Sequence, residues 1–164
     1  MISLKILELN RFMAKLLKSE LFDNFLLREG FVRTYMEYRF QGKLYTDYFE
    51  TEEQERYQNR EYVLWGEVKP FFLELIKGKR TPLAIQLHLI FPEEEAAKLL
   101  SQAQVPLLEE RPTLSLQRRF ENGTARIFTG VSRSTFSLDR SVEEAWDAGV
   151  KELLHKMEIP VEQE

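Results

Sequence analysis

A chain of 164 residues with 43% hydrophobic and 30% charged side chains is long enough for about one globular domain, burying roughly 70% of its unfolded surface. It has no cysteine, which excludes disulfides, cysteine nucleophiles, thiolate zinc sites and iron–sulfur clusters, and fits a reducing compartment. The net charge of −4 argues against a dedicated nucleic-acid binder with a basic footprint. No signal peptide follows Met1, and the longest apolar run, residues 83–91, is too short and polar to span a bilayer; the expectation is a cytoplasmic protein without membrane association.

The elements follow from periodicity. Ile2, Leu4 and Ile6 alternate with polar neighbours and predict a short strand. Phe12, Met13, Leu16 and Leu17 then fall at helical spacing. Residues 26–40 return to period two, with Val32, Thr34, Met36, Tyr38 and Phe40 on one side and Phe31, Arg33, Tyr35, Glu37 and Arg39 on the other. Gln41-Gly42-Lys43 reads as a turn into a partner strand over 44–49. The acidic stretch 50–58 reads as a loop or surface helix.

Trp65, Val68, Phe72, Leu75 and Ile76 form a helical stripe ended by Gly78, and Pro70 is best placed in the first turn of a helix starting near Lys69. Thr81-Pro82 leads into the clearest strand, 83–91. Pro92 and three glutamates then open a short helix, and 102–112 reads as a connection.

The preferred type I′ pair Asn122-Gly123 fixes a hairpin residue by residue. Glu121 then opposes Thr124, and Phe120, Arg118, Leu116 and Leu114 oppose Ala125, Ile127, Thr129 and Val131 on one face. The other face pairs Arg119 with Arg126, Gln117 with Phe128 and Ser115 with Gly130. A slip of one residue would send five apolar side chains outward, at about 1.5–3 kcal/mol each. Ser141-Val142-Glu143-Glu144 reads as a capping box, starting an amphipathic helix through Trp146 and Leu153 that stops before Pro160. The fold class is therefore α+β, a mostly antiparallel sheet of about six strands with helices mainly on one face, in the order β-α-β-β-α-β-α-β-β-α. The whole of 1–164 is expected to be a single domain, with a disordered tail after about 158.

Ile76-Lys77-Gly78-Lys79-Arg80-Thr81-Pro82-Leu83, the run from Thr129-Gly130-Val131-Ser132 to Ser137-Leu138-Asp139, and Glu144-Ala145-Trp146-Asp147 resemble an uncharacterised bacterial family, found mainly in Firmicutes and catalogued as a domain of unknown function. The resemblance extends to the start of the chain and to Phe22-Asp23-Asn24-Phe25. It implies a bacterial cytoplasmic protein and transfers no catalytic residue.

Chemistry is hard to find in the residues. His88 and His155 lack metal-ligand spacing, and no G-x-S-x-G nucleophile motif occurs. Gly78-Lys79-Arg80-Thr81 is only a fragment of a phosphate loop in the wrong structural context, so Lys79 and Arg80 are candidates for anion contact rather than for nucleotide binding. Asp139, Glu143 and Asp147, at intervals of four, could line one helical stripe as hard-cation ligands or simply face water. No metal or cofactor is expected.

The remaining constellation is the second sheet face, with Arg33, Tyr35, Arg39, His88, Arg119, Arg126 and Phe128. Arg119 opposite Arg126 is unfavourable alone, and Glu37, Glu121, an acidic partner or a phosphate could relieve it. The leading reading is a non-catalytic interaction module, with a homodimer or a protein partner on the open sheet face or on the aromatic helix surfaces. Single-stranded nucleic acid stacked on the arginines and aromatics is the alternative. A metal-dependent hydrolase using Asp139, Glu143 or Asp147 ranks last.

Overall fold

The computed structural model describes residues 1–106 and 109–164. The chain begins with β1 (Ser3–Ile6), which buries Leu4 and Ile6, and α1 (Leu9–Lys18), which buries Phe12, Leu16 and Leu17. The apolar spacing dictates both, and Lys15 and Lys18 fall in the last helical turn, where positive charge suits the dipole.

The next hairpin forms earlier than its turn residues suggest. β2 (Leu26–Arg33) and β3 (Glu37–Gln41) both lie inside the stretch expected to be one strand. The chain reverses at Thr34-Tyr35-Met36, where the Thr34 N–H donates to the Met36 carbonyl at 2.9 Å. Pairing runs from Arg33 opposite Glu37 to Glu29 opposite Gln41, so an ion pair closes the hairpin beside its tip.

Gly42 is not a turn glycine. Its N–H donates to the Arg28 carbonyl at 2.8 Å, and a Cβ there would lie 1.7 Å from the Leu27 carbonyl oxygen. It permits a close backbone approach where β2 is irregular between Leu27 and Glu29. The expected strand over 44–49 is absent, because Lys43 and Leu44 bond back to Tyr62 and Glu61. A 3-10 turn at Thr46–Tyr48, the short α2 (Thr51–Gln54) and a second 3-10 turn at Glu55–Tyr57 follow.

β4 (Val63–Leu64) pairs with Leu26 and Leu27 of β2, beyond the end of β3. α3 (Trp65–Ile76) starts at once, earlier than Pro70 suggests, so that proline lies inside the helix. Tertiary bonds outweigh it: the Trp65 and Gly66 N–H groups donate to the Phe25 and Asp23 carbonyls, and Glu67 accepts from the Leu64 N–H at 2.8 Å. β5 (Ala84–Ile90) and α4 (Glu93–Gln102) fall where expected. The connection expected over 102–112 includes 107 and 108, which lie outside the described residues.

β6 (Thr113–Glu121) and β7 (Thr124–Ser132) pair in the register that Asn122-Gly123 predicts, from Glu121 opposite Thr124 to Leu114 opposite Val131. Asn122 and Gly123 have φ of 52° and 73°, as a type I′ turn requires. α5 (Ser141–Lys156) opens without the expected capping box: Arg140 holds the N-cap position, and the carboxylate of Asp139 just before it accepts the Ser141 N–H at 2.9 Å. The last element, β8 (Val161–Gln163), pairs with β1, a strand that no sequence pattern announces.

Among the described residues the strands form one open antiparallel sheet of eight, ordered β3-β2-β5-β6-β7-β1-β8 with β4 also on β2, against about six expected; the two further strands are the short β4 and β8. Phe12 of α1, Phe72 of α3 and Trp146 of α5 all pack into one core with Leu4, Val32, Leu87, Leu116 and Ile127 of the sheet. Among the described residues the opposite face has no such layer.

Two glycine substitutions separate the two kinds of constraint. Gly42→Ala is expected to cost about 3 kcal/mol, because its methyl meets backbone that cannot retreat. Gly123→Ala has open space around it and should cost only about 1–2 kcal/mol, for the left-handed conformation. Urea midpoints of both variants check the ordering.

Candidate interaction surface

Directly opposed residues of antiparallel strands share a face, so the register alone assembles the surface. One line crosses the sheet as Arg39, Phe31, Gln86, Arg119, Arg126 and Lys5. The neighbouring line runs Glu29, His88, Gln117, Phe128 and Ser3, and Arg33 with Glu37 lies on the other flank. Six of the seven residues expected on this face are thus brought together.

Tyr35 is the exception. It stands at the hairpin tip, 90% exposed, and its hydroxyl meets that of Tyr38 rather than the sheet face. Period two fails there because the chain is turning.

The arginines of this face are partly neutralised. Arg33 and Arg39 each reach Glu37 at 2.8 Å, and both guanidinium groups stand over the Phe31 ring at 5.4 and 5.5 Å. The Arg33 hydrogen bond, with that of Arg39, holds the Glu37 carboxyl below its ordinary range. Arg126 is clasped by both carboxylate oxygens of Glu164, at 2.6 and 3.3 Å, so the relief of the Arg119–Arg126 repulsion comes from neither Glu37 nor Glu121. The sequence gives no cue to this pair, because it depends on β8 lying beside β1.

Arg119 has no carboxylate partner among the described residues. It donates to Gln117 at 3.3 Å and lies over Phe128 at 5.1 Å. His88 stands 3.9 Å from Glu29, and burial, with Arg28 nearby, lowers its affinity for a proton, so the ring is neutral at neutral pH.

The other candidates lie elsewhere. Lys79 and Arg80 follow α3 on the helix side of the sheet, away from the arginine face. The three acidic residues have separate partners: Asp139 accepts the Ser141 N–H, Glu143 pairs with Arg133, and Asp147 accepts from the Thr129 hydroxyl. Among the described residues no three His, Asp or Glu side chains gather as a metal site.

Arg118 is the residue the sequence pattern marks but does not explain. The hairpin register places it inward, opposite Ile127 and Leu87. It is 3% exposed, and none of its three guanidinium nitrogens has a hydrogen-bond partner among the described residues. Its charge rests on π-faces instead, 3.9 Å from the Phe22 ring centroid and 4.8 Å from that of Phe12. Burial pushes the group down to about 9, which leaves it charged at neutral pH. A lone charged residue in an otherwise apolar inward series was the signal available.

The molecule is thus an α+β protein with a helix-covered antiparallel sheet and a polar, aromatic-studded free face. The chain belongs to DUF5721, a family of unknown function whose model matches residues 15–162. No curated protein and no solved structure matches it.

Replacing buried ion pairs by well-packed apolar side chains of similar volume is often neutral or stabilising by about 1–4 kcal/mol, and a buried charge with no counter-charge has still less Coulomb energy to lose. Arg118→Met is therefore expected to raise the urea midpoint at pH 7, with the two lost ring contacts, worth about 2 kcal/mol, limiting the gain. Below about 9 the folded and unfolded chains both carry the proton, and the difference between wild type and variant stays constant. Above about 9 and below the ordinary arginine range the unfolded chain holds the proton more tightly, so the wild type gains on the variant as pH rises. Paired urea titrations across that range check the sign.

Proposed function

We propose that this chain is a non-catalytic binding domain working through the free face of its sheet, with a protein partner, in the first place a second copy of itself, as what it holds. The observation that carries this is the line from Arg39 to Lys5 together with its flanking residues Arg33 and Phe128, three guanidinium groups standing over phenyl rings on paired strands with no covering helix among the described residues. Arginine and aromatic residues are those enriched where protein interfaces gain most of their affinity. The face also carries both signs, with Glu29, Glu37 and Glu164 around the central Arg119, so a two-fold axis can set acidic flanks against a basic centre.

Neutralisation by Glu37 and Glu164 counts against a nucleic-acid strand, since those carboxylates would repel phosphates. The absence of cysteine fits a reducing compartment and removes cysteine nucleophiles.

Sedimentation of the full chain tests the proposal. A concentration-dependent dimer is expected, weakened at least tenfold by Phe128→Ala combined with Arg119→Glu, about 1.4 kcal/mol or more. A strict monomer whose double variant alters no captured partner would sink it. Binding to mixed oligonucleotides that falls steeply with salt, and is lost in the same variant, would replace it with the nucleic-acid reading.

A further inference from the structure

A second site lies on the other side of the sheet and owes nothing to the free face. Between α1, the end of α3 and the start of β5 runs a cleft of about 420 Å³, within the roughly 300–1,000 Å³ usual for small-molecule sites. Its floor is apolar, with Met13, Leu17, Leu73, Ile76, Ile85 and Phe120. Its rim is basic: Lys18, Lys77, Lys79 and Arg80 line it, and no acidic residue does among the described residues. Lys77 is tied to Glu74 at 2.7 Å, whereas Lys18, Lys79 and Arg80 have no carboxylate partner among the described residues.

This clustering runs against the net charge of −4. The backbone is shaped to make it: Gly78, with φ of 131°, ends α3 and turns the 77–81 segment along the cleft. Directly behind the floor is the other unexplained charge. Arg118 lies next to Phe120 along β6, and Met13, Ile85 and Phe120 line both the cleft and the small space of about 10 Å³ beside Arg118. An uncompensated cation in a low-dielectric core projects positive potential into the nearest opening. Apolar floor, unpaired cationic rim and buried positive charge all select one ligand chemistry.

We propose that this cleft binds an amphiphilic anion, an acyl-type chain on the floor with one carboxylate or phosphate head held by Lys79, Arg80 and Lys18. The head is met by exposed cations, and the chain supplies the burial, so neither part alone is enough. Free phosphate is therefore too polar to stay, and a neutral alcohol of the same chain length lacks the head contacts.

Calorimetric titration of the full chain with laurate, dodecyl phosphate, dodecanol, dodecyltrimethylammonium and inorganic phosphate tests this. Laurate and dodecyl phosphate are expected to bind at one site, and the other three at least tenfold more weakly. Lys79→Glu with Arg80→Glu, both exposed and so compatible with folding, should cost at least tenfold in affinity for the two anions. Ile85→Asn should do so from the floor, and if that variant fails to fold, Met13→Gln serves. Preference between the two anionic heads distinguishes a carboxylate from a phosphate ligand. No saturable binding of either anion, equal binding of the cationic amphiphile, or binding indifferent to the rim variant would each overturn the proposal. So would a cleft that takes an acidic amphipathic peptide but not laurate.

Discussion

At the middle of the covered face of the sheet sits an arginine that no carboxylate among the described residues answers. Arg118 lies in a line that crosses the strands as Phe40, Gly30, Leu87, Arg118, Ile127 and Leu4. Desolvating a cation there is costly, and only the weakly hydrated, planar guanidinium, laid against phenyl faces, makes it tolerable. Phe12 and Phe22 must therefore be held in place, and the surrounding bonds do this. The Trp65 indole N–H donates to the Leu16 carbonyl at 2.8 Å, while Lys69 bonds the Ser19 carbonyl and Asp23. α1, the turn after it and α3 thereby become one lid over a single charge.

The same register that buries Arg118 exposes Arg119. Adjacent residues on a strand point to opposite faces, so one dipeptide supplies the central cation of both sides. On the covered side the charge is left uncompensated, and the nearest opening is a basic cleft with an apolar floor. On the free side its neighbour lies over Phe128, flanked by glutamates that have already paired with other arginines. The two faces thus differ less in residue type than in how much of their charge has been cancelled.

Much of this was legible wherever local rules act alone. Asn122-Gly123 sets a turn that only one backbone geometry satisfies, and everything paired from it follows; β5 and α1 are equally local. Legibility ended where a distant group decided the matter. Pro70 was overruled by backbone bonds from residues 23–25, Gly42 was required by the approach of β2, and Glu164 acquired its meaning only when β8 met β1. The 34–36 reversal carries neither glycine nor proline, so its alternation reads through the turn and puts Tyr35 on the wrong side. Arg118 was visible as an inward residue, but its aromatic cover comes from segments about a hundred positions earlier, which periodicity cannot see.

The strand order also bears on how the molecule comes into being. β1 is made first, yet both its neighbours, β7 and β8, are made last. Pairings so distant in sequence are slow to form. During synthesis, which proceeds from the N-terminus, β1 stays without its strand partners long after α1 has met α3. An emerging chain of this protein should thus lean on ribosome-associated chaperones for most of its translation, and a truncation that removes only β8 and its short lead-in would leave β1 as a bare sheet edge open to pairing with another chain.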